Sequence, residues 1–203
     1  MRVGVLGGTF DPPHLGHLIL AQEAFQALGL SQVLFVPAGE PWRKAGRELS
    51  PREQRLAMVR LAIAGNPAFA VSTAEVDRAG ASYTAQTLAE LRGQFGQETE
   101  LFFIMGADSL ADFPHWHEPL RILELACLAV AERSPLGDEG FEEGLPEELA
   151  AALRQRVVWL PMPLIAISAS AVRERVRRGL AVRYWVPEAV EEYIRGHRLY
   201  ASG

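Results

Sequence analysis

The chain has 203 residues, of which 49% are hydrophobic and 22% charged, the composition of an ordinary globular protein. Acidic residues outnumber basic ones 25 to 20, and the formal net charge of −5 argues against a protein that binds nucleic acid through a basic surface. The single cysteine, Cys127, excludes a scaffold held together by internal disulfides. No apolar stretch is long enough for a signal-peptide core or a membrane span, so we expect a cytoplasmic protein that does not bind membranes.

Short apolar runs alternate along the chain with segments of helical period, a pattern typical of βα units on a parallel sheet. We expect strands at Arg2–Leu6, Gln32–Val36, Ala68–Ser72, Leu101–Met105, Ala126–Val130 and Val157–Leu160. We expect helices at Leu15–Leu28, Pro51–Ala64, Thr84–Phe95, Pro119–Leu123, Glu147–Gln155, Ser170–Arg178 and Pro187–Arg195. This pattern predicts a Rossmann-like α/β fold, in which helices flank an open, mostly parallel sheet and a small helical region follows at the C-terminus.

Local signals mark the ends of two of these helices. Ser50, Pro51 and Glu53 have the spacing of an N-cap, a first helical residue and the partner residue of a capping box. Gly29 suits the left-handed conformation that ends a helix. No linker-like composition divides the chain, so we expect a single domain over residues 1–203, with a helical C-terminal part over residues 168–203.

The turn after the first predicted strand carries the first candidate functional residues. Its sequence, GGTFDPPHLGH, has two glycines that let a ligand approach the backbone, and it leads into a helix whose N-terminus can bind an anion. We expect His14 and His17 on one face of the first helical turn, with Gly16 leaving room for a ligand. Two imidazoles that gain a proton near neutral pH suit a polyphosphate that acquires charge in a transition state. The alternatives are a zinc site, for which His115 and His117 would supply further ligands, and a structural pair of histidines at the helix start.

Four further segments accompany this turn, at residues 36–44 (VPAGEPWRK), 82–88 (SYTAQTL), 103–116 (FIMGADSLADFPHW) and 167–173 (ISASAVR). Together with GGTFDPPHLGH they resemble the motifs of the bacterial nicotinate-nucleotide adenylyltransferases, within the nucleotidylyltransferase superfamily named for its HxGH motif. The middle segments separate this family from its phosphopantetheine relatives, which share only the first and the last. Two departures stand out: Ser170 lies where the family often has Thr, and Trp42-Arg43 replaces the common Pro-His.

The resemblance implies an adenylyltransferase that joins ATP and nicotinate mononucleotide, giving nicotinate adenine dinucleotide and pyrophosphate by direct in-line transfer. Mg²⁺ would accompany ATP on phosphate oxygens and water, without a cage of protein ligands. The catalytic residues implied are His14, His17 and Arg173. The residues implied for ATP binding are Gly8, Thr9, Phe10, His14, His17, Ser168, Ser170 and Arg173. Arg173 follows Ser170 by about one helical turn, so we expect both to face the triphosphate.

The residues implied for binding the mononucleotide are Lys44, Thr84, Asp108, Trp116 and Arg133. Trp116 offers an aromatic face to a pyridinium ring, or is a half-buried core residue. Thr84 and nearby backbone N–H groups would receive the nicotinate carboxylate. Lys44, the only lysine of the chain, would meet the phosphate, with Arg133 as a second candidate. Asp108 either accepts from a ribose hydroxyl or caps a helix.

Three alternatives remain open at this point. The same reaction on nicotinamide mononucleotide differs in one group of the acceptor, and backbone donors could serve either. Pantetheine-phosphate adenylyl transfer is disfavoured by the residue 82–88 segment and by Trp116. A nucleotide sensor without turnover would be favoured by loss of His14, His17 or Arg173, all of which are present. The sequence does not determine the oligomeric state.

Overall fold

The fold is built on a parallel sheet of six strands in the order β3-β2-β1-β4-β5-β6. The computed structural model describes residues 1–41, 49–131, 142–163 and 165–201. The strands are β1 (Arg2–Gly8), β2 (Gln32–Pro37), β3 (Phe69–Val71), β4 (Glu100–Gly106), β5 (Ala126–Ala131) and β6 (Val157–Leu160). Every neighbouring pair is parallel, and the strand order reverses at β1 and β4. In an open parallel sheet, ligands bind beyond the carboxyl ends of the strands at such a reversal.

Eight α-helices lie in the described part of the chain, and all seven predicted helices are among them. They are α1 (Leu15–Ala27), α2 (Arg52–Ile63), α3 (Thr84–Phe95), α4 (Ala107–Asp112), α5 (Pro119–Leu125), α6 (Glu147–Arg156), α7 (Ala169–Arg177) and α8 (Glu188–Gly196). The unexpected helix is α4, together with the 3₁₀ turn Phe113–His115 that follows it. Six residues are too few for a helical period to show in the sequence.

The start of α2 differs from the predicted capping box. Pro51 occupies the N-cap position, and no side chain caps the helix. Ser50 makes tertiary contacts instead, since its N–H donates to Oδ2 of Asp11 over 3.3 Å and its carbonyl accepts from Nε of Arg55 over 3.0 Å. The predicted pairing of Ser50 with Glu53 is therefore wrong, because Asp11 and Arg55 bind the backbone of Ser50 outside the helix.

Alternate residues of the strands point to opposite faces of the sheet and pack into two cores. On β1, Leu6 belongs to one core, whereas Val3 and Val5 belong to the other. Residues of α1, α2, α7 and α8 complete the first core, and residues of α3, α5 and α6 complete the second. The C-terminal helices therefore lie on the same side of the sheet as the helix that follows the glycine-rich turn. None of the described helices is long and apolar enough to cross a membrane.

Candidate active site

A cavity of about 590 Å³ opens at the carboxyl edge of the sheet, where β1 and β4 end. Six of the predicted site residues line it: Gly8, Thr9, His17, Thr84, Asp108 and Trp116. The other described candidates, which are Phe10, His14, Ser168, Ser170 and Arg173, do not line the cavity itself. The cavity lies at the edge of the sheet where the reversal of strand order predicts a ligand.

His14 and His17 stack at the start of α1, with their ring centroids 3.7 Å apart. His14 occupies the N-cap position, so the pair spans the start of the helix. The backbone N–H of His14 donates to Nδ1 of His17 over 3.1 Å. Because this Nδ1 accepts, the neutral His17 ring carries its proton on Nε2, and Nε2 is the ring atom that can donate to a phosphate oxygen.

The burial of His14 is at odds with the protonated ring that the sequence suggested. Only 7% of its surface is exposed, and its Nδ1 is buried without a hydrogen-bond partner. Desolvation lowers the pKa of His14 to about 4, so its ring is neutral at physiological pH. The prediction that His14 gains a proton near neutral pH is therefore wrong.

The space beside Gly16 is occupied by the His14 ring. A Cβ at position 16 would lie 3.1 Å from Nδ1 of His14 and 3.4 Å from Cγ2 of Ile165. A side chain at position 16 would therefore crowd the His14 ring, and the expectation that Gly16 leaves room for a ligand stays a prediction. Phe10 packs beside the pair, with its ring 5.0 Å from that of His17 and only 2% of the residue exposed. The Phe10 side chain thus belongs to the core rather than to the cavity.

The C-terminal motif meets the glycine-rich turn at Asp11. Arg173 donates from Nη1 to the backbone carbonyl of Asp11 over 2.7 Å and from Nη2 to Oγ of Ser170 over 3.3 Å. Ser168 is the N-cap of α7, where its Oγ accepts from the N–H of Ala171 over 3.2 Å. The predicted shared face of Ser170 and Arg173 is confirmed. A permanent cation therefore lies beside the glycine-rich turn.

Asp11, which the sequence analysis did not single out, joins three distant parts of the chain. It is 2% exposed, and its Oδ1 accepts from the hydroxyl of Tyr200 over 2.6 Å. Its Oδ2 accepts from the backbone N–H of Ser50. Burial and the charge of Asp11 raise the pKa of Tyr200, so the hydroxyl keeps its proton and remains a donor. The C-terminal end of the described chain is thereby attached to the turn that holds Arg173.

Aromatic and small polar residues also line the cavity. Trp116 is half-buried, makes an edge contact with Phe103 at 5.8 Å, and has an indole Nε1 that is buried without a hydrogen-bond partner. Thr84 is the first residue of α3. Asp108 is exposed in the first turn of α4, where Gly106 holds the N-cap position. The suggestion that Asp108 caps this helix is therefore wrong, because the N-cap position lies two residues earlier, at Gly106.

Glu75 is a buried acid in the cavity wall that the sequence did not single out. It is 8% exposed, and its Oε1 accepts from Oγ1 of Thr87 over 2.7 Å. Desolvation raises the pKa of Glu75, and hydrogen bonds from Thr87 and Ser82 oppose this shift. Ser82 also accepts from the N–H of Gly39 over 3.0 Å, and a Cβ at Gly39 would lie 2.1 Å from the carbonyl oxygen of Glu75. These contacts fasten the loop after β2 to the segment before α3.

Four residues discussed above lie outside the described part of the chain: Trp42, Arg43, Lys44 and Arg133. The roles of Lys44 and Arg133 therefore stay predictions. Within the described residues, no three His, Cys, Asp or Glu side chains are grouped so that they could hold a metal ion. His115 and His117 lie 3.7 Å and 3.4 Å from carboxylate oxygens of Asp112 and Glu118.

Comparison with known proteins places the chain in a family. A family model described as cytidylyltransferase-like matches residues 5–175. A protein of Thermomicrobium roseum named "probable nicotinate-nucleotide adenylyltransferase" is 51% identical over 203 residues, covering 99% of this chain and 92% of the relative. A protein of the same name from Dehalococcoides mccartyi is 44% identical over 200 residues, covering 98% and 97%. The chain belongs to the nicotinate-nucleotide adenylyltransferase family.

As a member of the nicotinate-nucleotide adenylyltransferase family, the chain is a nucleotidyltransferase enzyme. Its fold matches that of the nicotinic acid mononucleotide adenylyltransferase of Plasmodium falciparum. The structure of that protein complexed with APC gives a TM-score of 0.75 at 16% identity, covering 98% of this chain and 96% of the other. Its structure complexed with NaAD gives a TM-score of 0.74 at 15% identity, covering 98% and 97%. The resemblance read from the motifs and the Rossmann-like fold are both confirmed.

Proposed function

We propose that the chain transfers the AMP moiety of ATP to nicotinate mononucleotide, yielding nicotinate adenine dinucleotide and pyrophosphate. The observation that carries the proposal is that one cavity is lined both by a histidine donor, His17, and by an aromatic ring, Trp116. We call the part of the site around His17 and the glycine-rich turn the ATP end, and the part of the wall around Trp116 and Thr84 the mononucleotide end. Its volume of about 590 Å³ lies in the range typical of ligand sites. The names of relatives at 51% and 44% identity support nicotinate as the ring of the acceptor.

The reaction calls for positioning and charge neutralisation rather than a protein nucleophile. A phosphate oxygen of the mononucleotide attacks the α-phosphorus of ATP and forms a new P–O bond. The bond from the α-phosphorus to the bridging oxygen breaks, and pyrophosphate leaves with the electron pair. The enzyme accelerates this exchange by holding both nucleotides in line and by binding the charge that moves onto pyrophosphate.

The ATP end supplies fixed donors for that charge. His17 donates from Nε2, because its Nδ1 is already occupied by the backbone N–H of His14. Arg173 supplies the permanent cation for the leaving pyrophosphate, and Ser168 and Ser170 add hydroxyl donors. His14 acts as a neutral ring that stacks on His17 and fixes its orientation.

Mg²⁺ fits this site as a companion of ATP rather than as a resident of the protein. The described residues offer no group of three potential ligand side chains, so phosphate oxygens and water would hold the ion. When bound, the ion neutralises charge on the triphosphate.

The other end of the cavity accepts the mononucleotide. Trp116 offers its face to the pyridinium ring, and Thr84 together with the N-terminus of α3 receives the carboxylate. Asp108, exposed at the cavity wall, accepts from a ribose hydroxyl. Lys44 and Arg133 are proposed for the phosphate on the resemblance of their sequence segments.

Pyrophosphate release tests the proposal directly. Purified protein is mixed with MgATP and, in separate arms, with nicotinate mononucleotide, nicotinamide mononucleotide or phosphopantetheine. We expect release with nicotinate mononucleotide and a much lower rate with the other two. A preference for either of the other acceptors would replace the proposed substrate, and no release in any arm would favour a nucleotide sensor.

A further inference from the structure

Arg55 is a charged residue in the core that neither the motifs nor the proposed chemistry uses. It lies on α2, whose other buried residues include Met58, Val59, Ala62 and Ile63. Only 2% of Arg55 is exposed, and it is among the largest fully buried side chains of the described chain. An apolar residue would fill this position at a lower desolvation cost, so the guanidinium is there for its hydrogen bonds.

The guanidinium of Arg55 binds backbone carbonyls of two loops at the carboxyl edge of the sheet. Nη1 donates to the carbonyl of Thr9 over 2.9 Å and to that of Ala38 over 2.6 Å. Nη2 donates to the carbonyl of Gly39 over 2.9 Å. Nε donates to the carbonyl of Ser50 over 3.0 Å. One planar group thus connects the loop after β1 with the loop after β2.

These two loops serve different substrates in the proposed reaction. Thr9 belongs to the glycine-rich turn at the ATP end, where the cavity is lined by Gly8 and Thr9. Ala38 and Gly39 begin the loop that leads towards Lys44, and Ala38 itself lines the cavity. The two loops also meet through one direct bond, from the N–H of Ala38 to the carbonyl of Gly8 over 2.9 Å.

The charge of Arg55 is balanced by the same residue that orients Arg173. Burial lowers the pKa of Arg55, and the carboxylate of Asp11 opposes this shift. The backbone carbonyl of Asp11 accepts from Arg173. Asp11 therefore accepts from Arg173 through its backbone carbonyl and offsets the charge of the buried Arg55 through its carboxylate.

We infer that Arg55 is a positioning residue for adenylyl transfer. Its rigid, fork-shaped guanidinium sets the distance between the loop after β1, which lies at the ATP end, and the loop after β2, which leads towards Lys44. The inference rests on the proposed function. Each substrate binds mainly through its own end of the cavity. Loss of the Arg55 hydrogen bonds therefore leaves the affinity for ATP alone and the affinity for the mononucleotide alone nearly unchanged. The in-line alignment of the two substrates suffers instead, and displacements of about 1 Å are known to cost about 10²-fold in rate.

The test compares Arg55→Lys and Arg55→Gln with a matched control, Arg92→Lys. Lysine keeps the charge and glutamine keeps part of the donor set, but neither reproduces the fork. Arg92 is also a partly buried arginine that donates to several backbone carbonyls, but at the opposite edge of the sheet. Its acceptors are the carbonyls of Gln97 and of Glu124 and Leu125 at the end of α5. The Arg92→Lys substitution therefore disturbs a similar set of hydrogen bonds from a guanidinium to backbone carbonyls, at a residue that does not line the cavity.

Steady-state kinetics with both substrates and the dissociation constant of each substrate alone are measured for all proteins, with thermal unfolding to fix the folded fraction. We expect kcat of Arg55→Lys to fall by about 10- to 100-fold while each dissociation constant changes by less than about threefold. Arg92→Lys keeps the wild-type kcat once corrected for folded fraction.

Two results would overturn the inference. One is a kcat of folded Arg55→Lys equal to that of Arg92→Lys. The other is failure of both Arg55 variants to fold while Arg92→Lys folds, which would make Arg55 a residue of stability alone. Turnover of the wild-type protein separates this inference from the proposed function, because an inactive wild type overturns both, whereas an active wild type with unaffected variants overturns only the role of Arg55.

Discussion

The two ends of the cavity are built in different ways. At the ATP end, hydrogen bonds join residues that lie far apart in the chain, as between Arg173 and Asp11 and between Tyr200 and Asp11. At the mononucleotide end, much of the wall comes from the continuous segment 82–116, and Trp116 presents a buried Nε1 without a partner. Phosphate charge needs donors that are fixed in advance, whereas a flat ring is recognised through contact area. The difference follows the chemistry of the two substrates.

Both ends nevertheless contain one buried ionisable group that favours its neutral form. Desolvation lowers the pKa of His14 at the ATP end and raises the pKa of Glu75 at the mononucleotide end. The permanent charge that the described residues bring to the phosphates therefore comes from Arg173 rather than from His14. The histidines contribute oriented hydrogen bonds.

Replacing His17 should give the largest effect and tests whether the ATP end acts mainly in the transition state. His17→Ala removes the Nε2 donor, so we expect kcat to fall by about 10²- to 10³-fold, as for the loss of one preorganised donor. The dissociation constant of MgATP should change by less than about threefold, because the charge that His17 meets peaks in the transition state. The exposed His115, outside the cavity lining, provides the control His115→Ala with wild-type turnover. Equal losses of kcat and ATP affinity would show that His17 binds the ground state.

Replacing His14 should give the next largest effect, seen in the dependence of stability on pH. The pKa of His14 is about 4 in the folded protein against 6.5 in the unfolded chain, so the unfolded chain binds more protons between these values. The stability that neutral His14 contributes is fully present above about pH 6.5 and is lost as the pH falls towards 4. Between about pH 7 and pH 5 the loss is about 2 kcal/mol.

Urea unfolding at these two pH values measures that loss. His14→Asn should remove it, and His115→Asn, at an exposed histidine, should retain it. Glu75 contributes with the opposite sign, since its raised pKa favours the folded state at low pH, and this contribution is common to all three proteins. A pH dependence in His14→Asn equal to that of the wild type would show that His14 is not the buried neutral group.

Local patterns in the sequence were sufficient to predict the elements and much of the ATP end. Short apolar runs and helical-period segments predicted six strands and seven helices, and the spacing of Ser170 and Arg173 predicted their shared face. Both depend on residues that are neighbours along the chain. The helix α4 was not predicted, because a helix of six residues is too short to show a helical period in the sequence.

The contacts that organise the site could not be predicted in this way. Arg55 and Glu75 have the sequence context of surface charges, and only the tertiary fold buries them. Asp11 meets Arg173 across 162 positions and Tyr200 across 189, separations at which no pattern in one sequence specifies a pair. The same reason explains the error over His14, since its ionisation is set by its burial in the folded protein, which the motif alone does not specify.

The smallest of these effects should come from Trp116, and it tests whether the mononucleotide end relies on contact area. Trp116→Ala removes the ring face, so we expect the KM for nicotinate mononucleotide to rise by about tenfold while the KM for ATP stays within about twofold. KM does not depend on the fraction of folded enzyme, so a loss of stability at this half-buried site does not imitate the effect.

Trp116→Phe keeps an aromatic face and should give an intermediate KM. Trp185, which stacks on Arg175 at 4.7 Å and does not line the cavity, provides the control Trp185→Ala. An unchanged mononucleotide KM in Trp116→Ala would assign the indole to the core, and the two ends of the cavity would then both depend on polar contacts.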